Sequence, residues 1–373
     1  MKVLLGGIPL GCDNIGDEAI VACVVKMLRD SVPCIELTVA TADKGTAALL
    51  GVEVVPPYGF EGVNVNRFKS AILNYDAFIW CGATGLSDYP HIPLKLLEMA
   101  QEAGKATFIW GVGMDDELNP AFFKASGARG KLLSMAGLTG WYEDLLRKRL
   151  SKKIRRILPK CNGVWVRDPQ SKAMLERTGY SDAQVAADTA ILLRPGNSVA
   201  AKGGERQLTL GICISTQRQV KDLEGVKRTI EAVRKAGWKV IGIPMNPKTD
   251  RKLLTSLSIE CIEGSTPEAV IDAAAKCDTV LSSRLHLLIL AANAGTQILG
   301  IARGSKLANW LANFGRKISG SVQECDWDKV TEEILSSPGK ESEWRETRRE
   351  AYAALDKRLE EARDALAAKL REV

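Results

Sequence analysis

The chain has 373 residues, of which 46% are hydrophobic and 26% are charged. These values are ordinary for a globular protein and exclude a disordered, collagen-like or low-complexity chain. At roughly 150 residues per domain, the length predicts two domains. The net charge of +6 is too small to indicate a nucleic-acid partner, but it suits a protein that binds small anionic molecules.

The nine cysteines occur singly, without a C-x-x-C pair, and several lie in apolar runs, as Cys213 does. Such cysteines are typical of buried, reduced thiols, which predicts a cytoplasmic protein. Because His91 and His286 are the only two histidines, we expect no structural zinc. We also expect no signal peptide and no transmembrane segment, since the longest apolar stretch, 285–302, is interrupted by polar residues and glycines.

Short apolar runs alternate with helical patterns through the first half of the chain. Fully apolar strands between helices are typical of a parallel sheet that is covered on both faces. The predicted strands are 2–6, 35–40, 52–55, 76–80, 106–110, 163–166 and 184–187. The predicted helical segments are 16–29, 43–50, 65–74, 91–103, 118–158 and 169–178.

Residues 194–206 concentrate proline, glycine, serine and charge, a composition typical of a linker. We therefore predict an N-terminal α/β domain over 1–195 and a second α/β domain over 207–338. The predicted strands of the second domain are 208–214, 238–243, 259–262, 279–283 and 297–301. Its predicted helices are 222–236, 247–256, 266–276, 286–294 and 305–314.

Two doubly wound units of this kind predict a cleft between them. The tail over 340–373 is charge-rich and carries apolar residues at helical spacing. It predicts a long amphipathic helix that packs on the body of the protein.

The loop over 6–20 leaves the first predicted strand and opens the first helix. Its glycines would let backbone amides approach a ligand at the positive end of that helix. Their spacing is not G-x-G-x-x-G, which disfavours a dinucleotide oxidoreductase. Asp17 and Glu18 fall in the first helical turn, where acidic side chains interact favourably with the helix dipole. Asp17 could instead accept a hydrogen bond from a hydroxyl of the ligand.

A second segment, SSRLH at 282–286, lies where an inner strand ends and an apolar helix begins. Open α/β sheets bind their ligands at that edge. Arg284 would attract an anion there, and His286 would be suited to proton transfer near neutral pH. The alternative for His286 is a core residue with its hydrogen bonds satisfied.

Three further turns follow predicted strands. Arg303 and Lys306 flank a strand-to-helix turn that could bind a phosphate. Arg167 can pair with Asp168, or it can contact a ligand, and either Asp168 or Ser171 would cap the next helix. The glycine-containing turn over 81–88 would allow close approach of the backbone.

Residues 145–160 hold eight basic residues and no acidic one. Leucine and isoleucine at helical spacing predict a basic amphipathic helix in this segment. Its basic face is either simply solvated or makes a peripheral contact at the inner face of the membrane, with anionic lipid or with a lipid-linked acceptor.

Five segments in order resemble the polysaccharide pyruvyl transferase family: NIGDEAI at 14–20, FIWCGATGLSD at 78–88, VWVRDPQS at 164–171, VAADTAILL at 185–193 and CDTVLSSRLHLLILAANAGTQILGI at 277–301. The most specific pieces are N-x-G-D-E and S-x-R-L-H. The resemblance spans almost the whole chain. It implies two Rossmann-like, doubly wound α/β domains in a glycosyltransferase-B-like fold.

The resemblance also implies an activity, the transfer of pyruvate from phosphoenolpyruvate to two hydroxyls of one sugar as a ketal, in a cell-surface polysaccharide precursor. Phosphoenolpyruvate is then a co-substrate, and no cofactor or metal is expected. His286 would protonate the methylene carbon and Asp17 would accept a hydroxyl proton. The domain over 1–195 is then expected on the acceptor side and the domain over 207–338 on the donor side. The predicted donor contacts are Arg284, Arg167, Lys306 and Arg303, and the predicted acceptor contacts are Asn14, Gly16, Asp17, Gly82 and Gly85.

The sequence departs from the family pattern at two places. Ala302 stands where an aromatic residue commonly precedes the lysine segment, and CGATG at 81–85 replaces a run of three glycines. One alternative function is a nucleotide-sugar-dependent glycosyltransferase of the same architecture, which would bind a nucleoside diphosphate instead of phosphoenolpyruvate. Another is a catalytically inactive sugar-binding protein, for which Arg284→Ala and His286→Ala would be silent.

Overall fold

The computed structural model describes residues 1–125, 127–195, 206–216 and 220–373. These residues form two compact units. Unit 1 consists of Met1–Cys12, Ile20–Thr189 and Lys357–Val373, and unit 2 consists of Asp13–Ala19 and Ala190–Asp356. Most of the linker predicted over 194–206 lies outside the described residues.

The strands and helices up to Thr189 follow the predicted alternation. The strands are β1 (Lys2–Gly6), β2 (Glu36–Ala40), β3 (Glu53–Val55), β4 (Ala77–Cys81), β5 (Ala106–Val112), β6 (Gly163–Val166) and β7 (Gln184–Val185). The helices are α1 (Ile15–Ser31), α2 (Gly45–Leu50), α3 (Phe68–Ala71), α4 (Gly85–Asp88), α5 (His91–Glu102), α6 (Pro120–Phe123), α7 (Gly127–Met135), α8 (Thr139–Ile157) and α9 (Pro169–Thr178).

The remainder of the chain repeats this pattern. The strands are β8 (Thr209–Cys213), β9 (Lys239–Gly242), β10 (Glu260–Cys261), β11 (Thr279–Ser282), β12 (Gln297–Ala302) and β13 (Gly320–Ser321). The helices are α10 (Leu223–Lys235), α11 (Thr249–Ser256), α12 (Pro267–Ala275), α13 (Leu285–Asn293), α14 (Ser305–Ala312), α15 (Trp327–Leu335) and α16 (Glu341–Arg371).

Each unit is built on one parallel sheet. The strand order is β3-β2-β1-β4-β5-β6-β7 in unit 1 and β10-β9-β8-β11-β12-β13 in unit 2. Every residue of β4, β8 and β11 is buried, because helices cover both faces of the sheet. In both sheets the direction of winding reverses once, between β1 and β4 and between β8 and β11. Ligands of doubly wound sheets bind at that reversal, beyond the carboxyl ends of the strands.

The structure departs from the predicted elements at three places. The single helical stretch predicted over 118–158 is instead three helices, α6 to α8, and the left-handed φ angles of Gly127 and Gly137 mark the breaks between them. The helix predicted over 65–74 is only one α-helical turn, α3, with a 3₁₀ turn on either side. Strand β13 and helices α4 and α15 were not predicted, although Asp326 caps α15 through the backbone amide of Lys329.

The C-terminal helix α16 is amphipathic along its whole length. Its apolar stripe is buried, with Trp344, Leu355, Leu359 and Leu366 each at most 3% exposed. Burying one leucine contributes about 1.5–3 kcal/mol, so the stripe holds the helix on the protein. Among the described residues, no helix has both the length and the apolar composition needed to cross a bilayer.

Candidate functional site

The predicted ligand-binding edge of unit 2 is built from the ends of three neighbouring strands. Strand β11 pairs with β8 on one side and with β12 on the other. The backbone amide of Ser215, after β8, donates to Oγ of Ser283, after β11, at 2.9 Å. Nη1 of Arg303, after β12, donates to Oγ of Ser215 at 2.8 Å. These hydrogen bonds tie the three strand ends together at the winding reversal.

Arg284, the residue before α13, is held by a buried carboxylate. Its Nε and Nη2 donate to the two carboxylate oxygens of Asp250 at 3.0 and 2.7 Å. The Asp250 side chain is fully buried and that of Arg284 is 11% exposed. This two-point geometry fixes the plane of the guanidinium. Nη1 has no hydrogen-bond partner among the described residues, so it remains available to an anion.

Sequence analysis did not single out Asp250. The residue lies in the first turn of α11, where an acidic side chain ordinarily interacts only with the helix dipole. Here its Oδ2 also accepts the backbone amide of Asn246 at 2.9 Å. No local pattern distinguishes the two roles, because the partner Arg284 lies 34 residues away in the chain.

Replacing Asp250 by asparagine should destabilise the protein. Removing one partner of a buried ion pair costs about 3–5 kcal/mol, because the other charge stays buried without its counter-ion. Urea unfolding measures the change in the free energy of unfolding. Asp272→Asn is the matched control, since Asp272 is exposed on α12. Equal stabilities of the two variants would contradict the assigned ion pair.

The segment Asp13–Ala19 belongs to unit 2 and places the N-x-G-D-E motif beside the S-x-R-L-H motif. The backbone amide of Ile15 donates to the carbonyl of Met245 at 3.1 Å, and Lys248 forms an ion pair with Asp13 at 2.6 Å. Gly16 packs directly on the imidazole of His286. A Cβ at residue 16 would lie 2.2 Å from Nδ1 of that ring, which explains why glycine occupies this position.

A Gly16→Ala variant tests this packing. The methyl group would overlap the imidazole, and overpacking a filled site costs about 1–3 kcal/mol. We expect a lower melting temperature in calorimetry and lower activity. Gly140→Ala is the control, because a Cβ there meets nothing within 4 Å and alanine stabilises a helix by roughly 0.5–1 kcal/mol relative to glycine. A Gly16→Ala variant as stable as wild type would show that the ring is not held there.

Asp17 is buried, with 3% of its surface exposed. Burial raises the pKa of its carboxyl group from 3.8 to about 6, and the charge of His286, a hydrogen bond from Asn14 and the charges of Lys306 and Arg284 partly offset that increase. Nδ2 of Asn14 donates to Oδ2 of Asp17 at 2.8 Å. Asp17 therefore shares one electrostatic neighbourhood with the predicted donor-binding and proton-donating residues.

Two helices begin at this site. Helix α13 starts after Arg284 and helix α14 starts after Gly304, with Lys306 as its second residue. Neither helix has an acidic residue in its first turn. The positive ends of the two helix dipoles therefore add to the charges of the basic side chains, which makes this edge suitable for an anion. Among the described residues, no group of His, Cys, Asp and Glu side chains is arranged to hold a metal ion.

The predicted contact Arg167 lies in unit 1 and is enclosed by carboxylates. Its Nε donates to Asp168 at 3.1 Å, and its Nη1 lies 3.8 Å from Asp188. Burial disfavours its charge, but Asp168, Asp188 and Asp115 outweigh burial and raise the pKa of Arg167. Of the two predicted capping residues, Asp168 caps α9, by accepting the backbone amide of Ser171 at 2.7 Å. The charge of Arg167 is thus largely compensated within unit 1.

Gly82 and Gly85, the two predicted acceptor contacts after β4, are both required by packing. Gly82 has φ of +77°, and a Cβ there would lie 2.5 Å from Ile20. A Cβ at Gly85 would lie 2.5 Å from the ring of Trp80. These contacts within unit 1 account for both glycines, and their role toward an acceptor stays a prediction.

Comparison with known proteins identifies a family and a fold. The profile of the polysaccharide pyruvyl transferase family matches residues 14–305. No curated protein sequence matches the chain significantly. The structure of Anabaena HepE in complex with UDP and glucose shares 14% identity over 100% of both chains, with a TM-score of 0.61. The Neisseria meningitidis UDP-GlcNAc 2-epimerase, bound to UDP-GlcNAc, shares 12% identity over 100% of both chains, with a TM-score of 0.57.

At these identities the structural likeness establishes the fold alone. It confirms the predicted pair of Rossmann-like α/β units of the glycosyltransferase-B-like class. The profile match, which covers well over half of the chain, confirms the predicted family relationship.

Proposed function

The chain belongs to the polysaccharide pyruvyl transferase family, and we propose that it transfers pyruvate from phosphoenolpyruvate to two hydroxyls of one sugar, as a ketal, in a cell-surface polysaccharide precursor. One observation carries this proposal. The basic side chains Arg284, His286 and Lys306 act electrostatically on one buried carboxyl group, Asp17, at the beginnings of three helices. An anion site with an acid and a base beside it is what this reaction needs.

The donor, phosphoenolpyruvate, carries a carboxylate and a phosphate on one small carbon skeleton. We propose that Arg284 binds one of these groups through Nη1, since Nε and Nη2 are engaged by Asp250. Lys306 and the amino-terminal end of α14 are proposed to bind the other group, together with Arg303 at the end of β12. Arg167, compensated by two carboxylates, is proposed to act on the donor only secondarily.

The chemistry requires a proton at the methylene carbon of phosphoenolpyruvate. We propose that His286 supplies it, which leaves an oxocarbenium-like centre at C2 for the first sugar hydroxyl to attack. Asp17 accepts the proton of that hydroxyl. The bond between C2 and the phosphate oxygen then breaks, the second hydroxyl adds at C2, and its proton leaves with the phosphate. The products are one ketal and one inorganic phosphate, so protons and bonds balance.

The acceptor is proposed to lie beside the N-x-G-D-E motif. Asn14 both precedes α1 and orients Asp17. Gly16 brings the start of the helix against His286, so that acid and base lie close together. Gly82 and Gly85 are the proposed acceptor contacts of unit 1. The acceptor sugar is proposed to be part of a polysaccharide precursor, which is either free or linked to a lipid.

The pKa of Asp17 gives this proposal a pH dependence. Because a proton acceptor must be ionised, we expect kcat/KM to rise as the pH rises through about 6. The stability contribution has the opposite sign. The folded protein holds this proton up to about pH 6 and the unfolded chain releases it near 3.8, so the wild type loses stability, on the order of 3 kcal/mol, as the pH rises across that window.

An Asp17→Asn variant separates the two effects. It should lose about 10²–10⁴-fold in kcat, and above pH 6 it should unfold at higher urea concentration than the wild type. At pH 4 the stabilities of the two proteins should converge. A variant that is less active and also less stable at neutral pH would mean that Asp17 has a structural role instead.

The reaction itself is tested with phosphoenolpyruvate and a panel of hexosides and N-acetylhexosaminides. The proposal predicts acceptor-dependent release of inorganic phosphate and a product whose ketal is acid-labile. In D₂O, the methyl group of the ketal should gain deuterium, because solvent supplies the proton that His286 delivers. Turnover of a UDP-sugar by the same protein, with no phosphate released from phosphoenolpyruvate, would favour the glycosyltransferase alternative.

A further inference from the structure

One surface of unit 1 combines exposed apolar side chains with a high density of positive charge. Helices α6 and α7 pack against α8. Four large apolar side chains on α7, on the turn after it and at the start of α8 are strongly exposed: Leu132 at 68%, Met135 at 87%, Leu138 at 46% and Trp141 at 62%. Large apolar side chains grouped in this way on a protein surface mark an interaction site.

The charge of α8 lies on the same side of the helix as Trp141. Lys148 and Lys152 follow Trp141 after about two and three helical turns, so they share its face. The buried residues Leu150, Ile154 and Ile157 lie on the opposite face. All eight basic residues of the segment 145–160 are exposed. The two acidic residues of α8, Glu143 and Asp144, both precede this segment.

We propose that this surface, Leu132–Trp141 together with the basic face of α8, docks the protein on a bilayer of anionic lipid. The apolar side chains would enter the interface between headgroups and acyl chains, and the lysines and arginines would contact the anionic headgroups. Charge complementarity decides between partners. Eight exposed basic residues outnumber Glu143, Asp144 and Glu98, the last of which pairs with Arg156. A surface with this excess of positive charge would repel a second copy of itself, whereas an anionic membrane attracts it over about a Debye length.

Docking does not depend on the reaction proposed for unit 2. None of the residues of the docking surface is a proposed donor or acceptor contact. Loss of docking would therefore leave turnover of a soluble acceptor unchanged. The two proposals therefore fail separately. If both hold, docking brings the enzyme to any acceptor that is carried on a lipid.

Vesicle co-sedimentation of the full chain tests the docking. We expect binding to vesicles of equal parts phosphatidylcholine and phosphatidylglycerol, weakening as salt is added, and no binding to phosphatidylcholine alone. Each basic residue near an anionic surface strengthens binding about fivefold. A Lys148→Glu/Lys152→Glu variant should therefore bind at least about 25-fold more weakly. Trp141→Ser should weaken binding about tenfold.

The control is Lys235→Glu/Lys252→Glu, which changes the net charge equally at two exposed positions of unit 2. This variant should bind anionic vesicles nearly as the wild type does. Equal loss of binding in both charge variants would overturn the proposal, because net charge alone would then explain the binding. Absence of binding by the wild type would also overturn it. Light scattering gives a third outcome that would overturn the proposal. If the wild type is a dimer and Trp141→Ser is a monomer, the apolar surface binds a second copy of the chain and not a membrane.

Discussion

An Arg284→Ala variant should lose about 10²–10⁴-fold in kcat/KM for phosphoenolpyruvate. Hydrogen bonds between charged groups contribute about 1.5–3 kcal/mol each, and the variant loses the two that the N–H groups of Nη1 can donate to phosphoenolpyruvate. The loss should appear in calorimetric binding of phosphoenolpyruvate as well as in turnover. Arg284→Lys keeps the charge but not the two-point geometry, so it should recover only part of the binding. The single amino group of lysine cannot reproduce the two hydrogen bonds that Nε and Nη2 of Arg284 donate to Asp250.

A matched double variant separates this binding role from stability. Arg284→Ala leaves the fully buried Asp250 without its counter-ion, which by itself destabilises the protein. In Arg284→Gln/Asp250→Asn the two amides can still hydrogen-bond, so we expect stability to be largely restored and binding of phosphoenolpyruvate to remain lost. Recovered binding in the double variant would mean that the guanidinium acts only on the fold.

The second large effect concerns His286. A His286→Gln variant should lose about 10²–10⁴-fold in kcat, the usual contribution of a positioned acid or base. Its KM for phosphoenolpyruvate should change little, because glutamine retains a polar group at that position. Deuterium entry into the ketal methyl group, followed at equal turnover, reports the same step directly.

The chain contains its own control for this experiment. His91 is the only other histidine, and it lies exposed at the start of α5 in unit 1. His91→Gln should therefore be fully active. Equal activity losses in the two histidine variants would show that the effect of His286→Gln is not specific to proton transfer.

The fold could be predicted largely from the sequence because its strands are short and mostly apolar. Runs such as AFIWC at 77–81 and WKVIGI at 238–243 are too short for helices and lie between amphipathic segments, which favours a covered parallel sheet. The stretch predicted as one helix over 118–158 is divided at Gly127 and Gly137, whose left-handed φ angles interrupt the helix. Helix α15 was missed although Trp327, Val330 and Ile334 have helical spacing and Asp326 caps the helix.

Only the site residues that lie within recognisable sequence motifs could be predicted. The N-x-G-D-E and S-x-R-L-H motifs indicated separately that Gly16 and His286 matter, and the structure shows that the two are in contact. Asp250 could not be predicted, because its role depends on a partner brought close by the tertiary fold. The role of Arg167 was left open for the same reason. Its pairing with the adjacent Asp168 could be predicted from the sequence, but the approach of Asp188, 21 residues after Arg167, depends on the tertiary fold.

Calorimetric titration distinguishes a phosphoenolpyruvate site at Arg284 from a nucleotide site. Phosphoenolpyruvate and, separately, UDP are titrated into the full-length wild type and into Arg284→Ala at equal ionic strength. We expect phosphoenolpyruvate to bind the wild type, Arg284→Ala to abolish that binding, and UDP to bind neither protein comparably. Binding of UDP by the wild type, with no heat from phosphoenolpyruvate, would show that Arg284 does not form a phosphoenolpyruvate site.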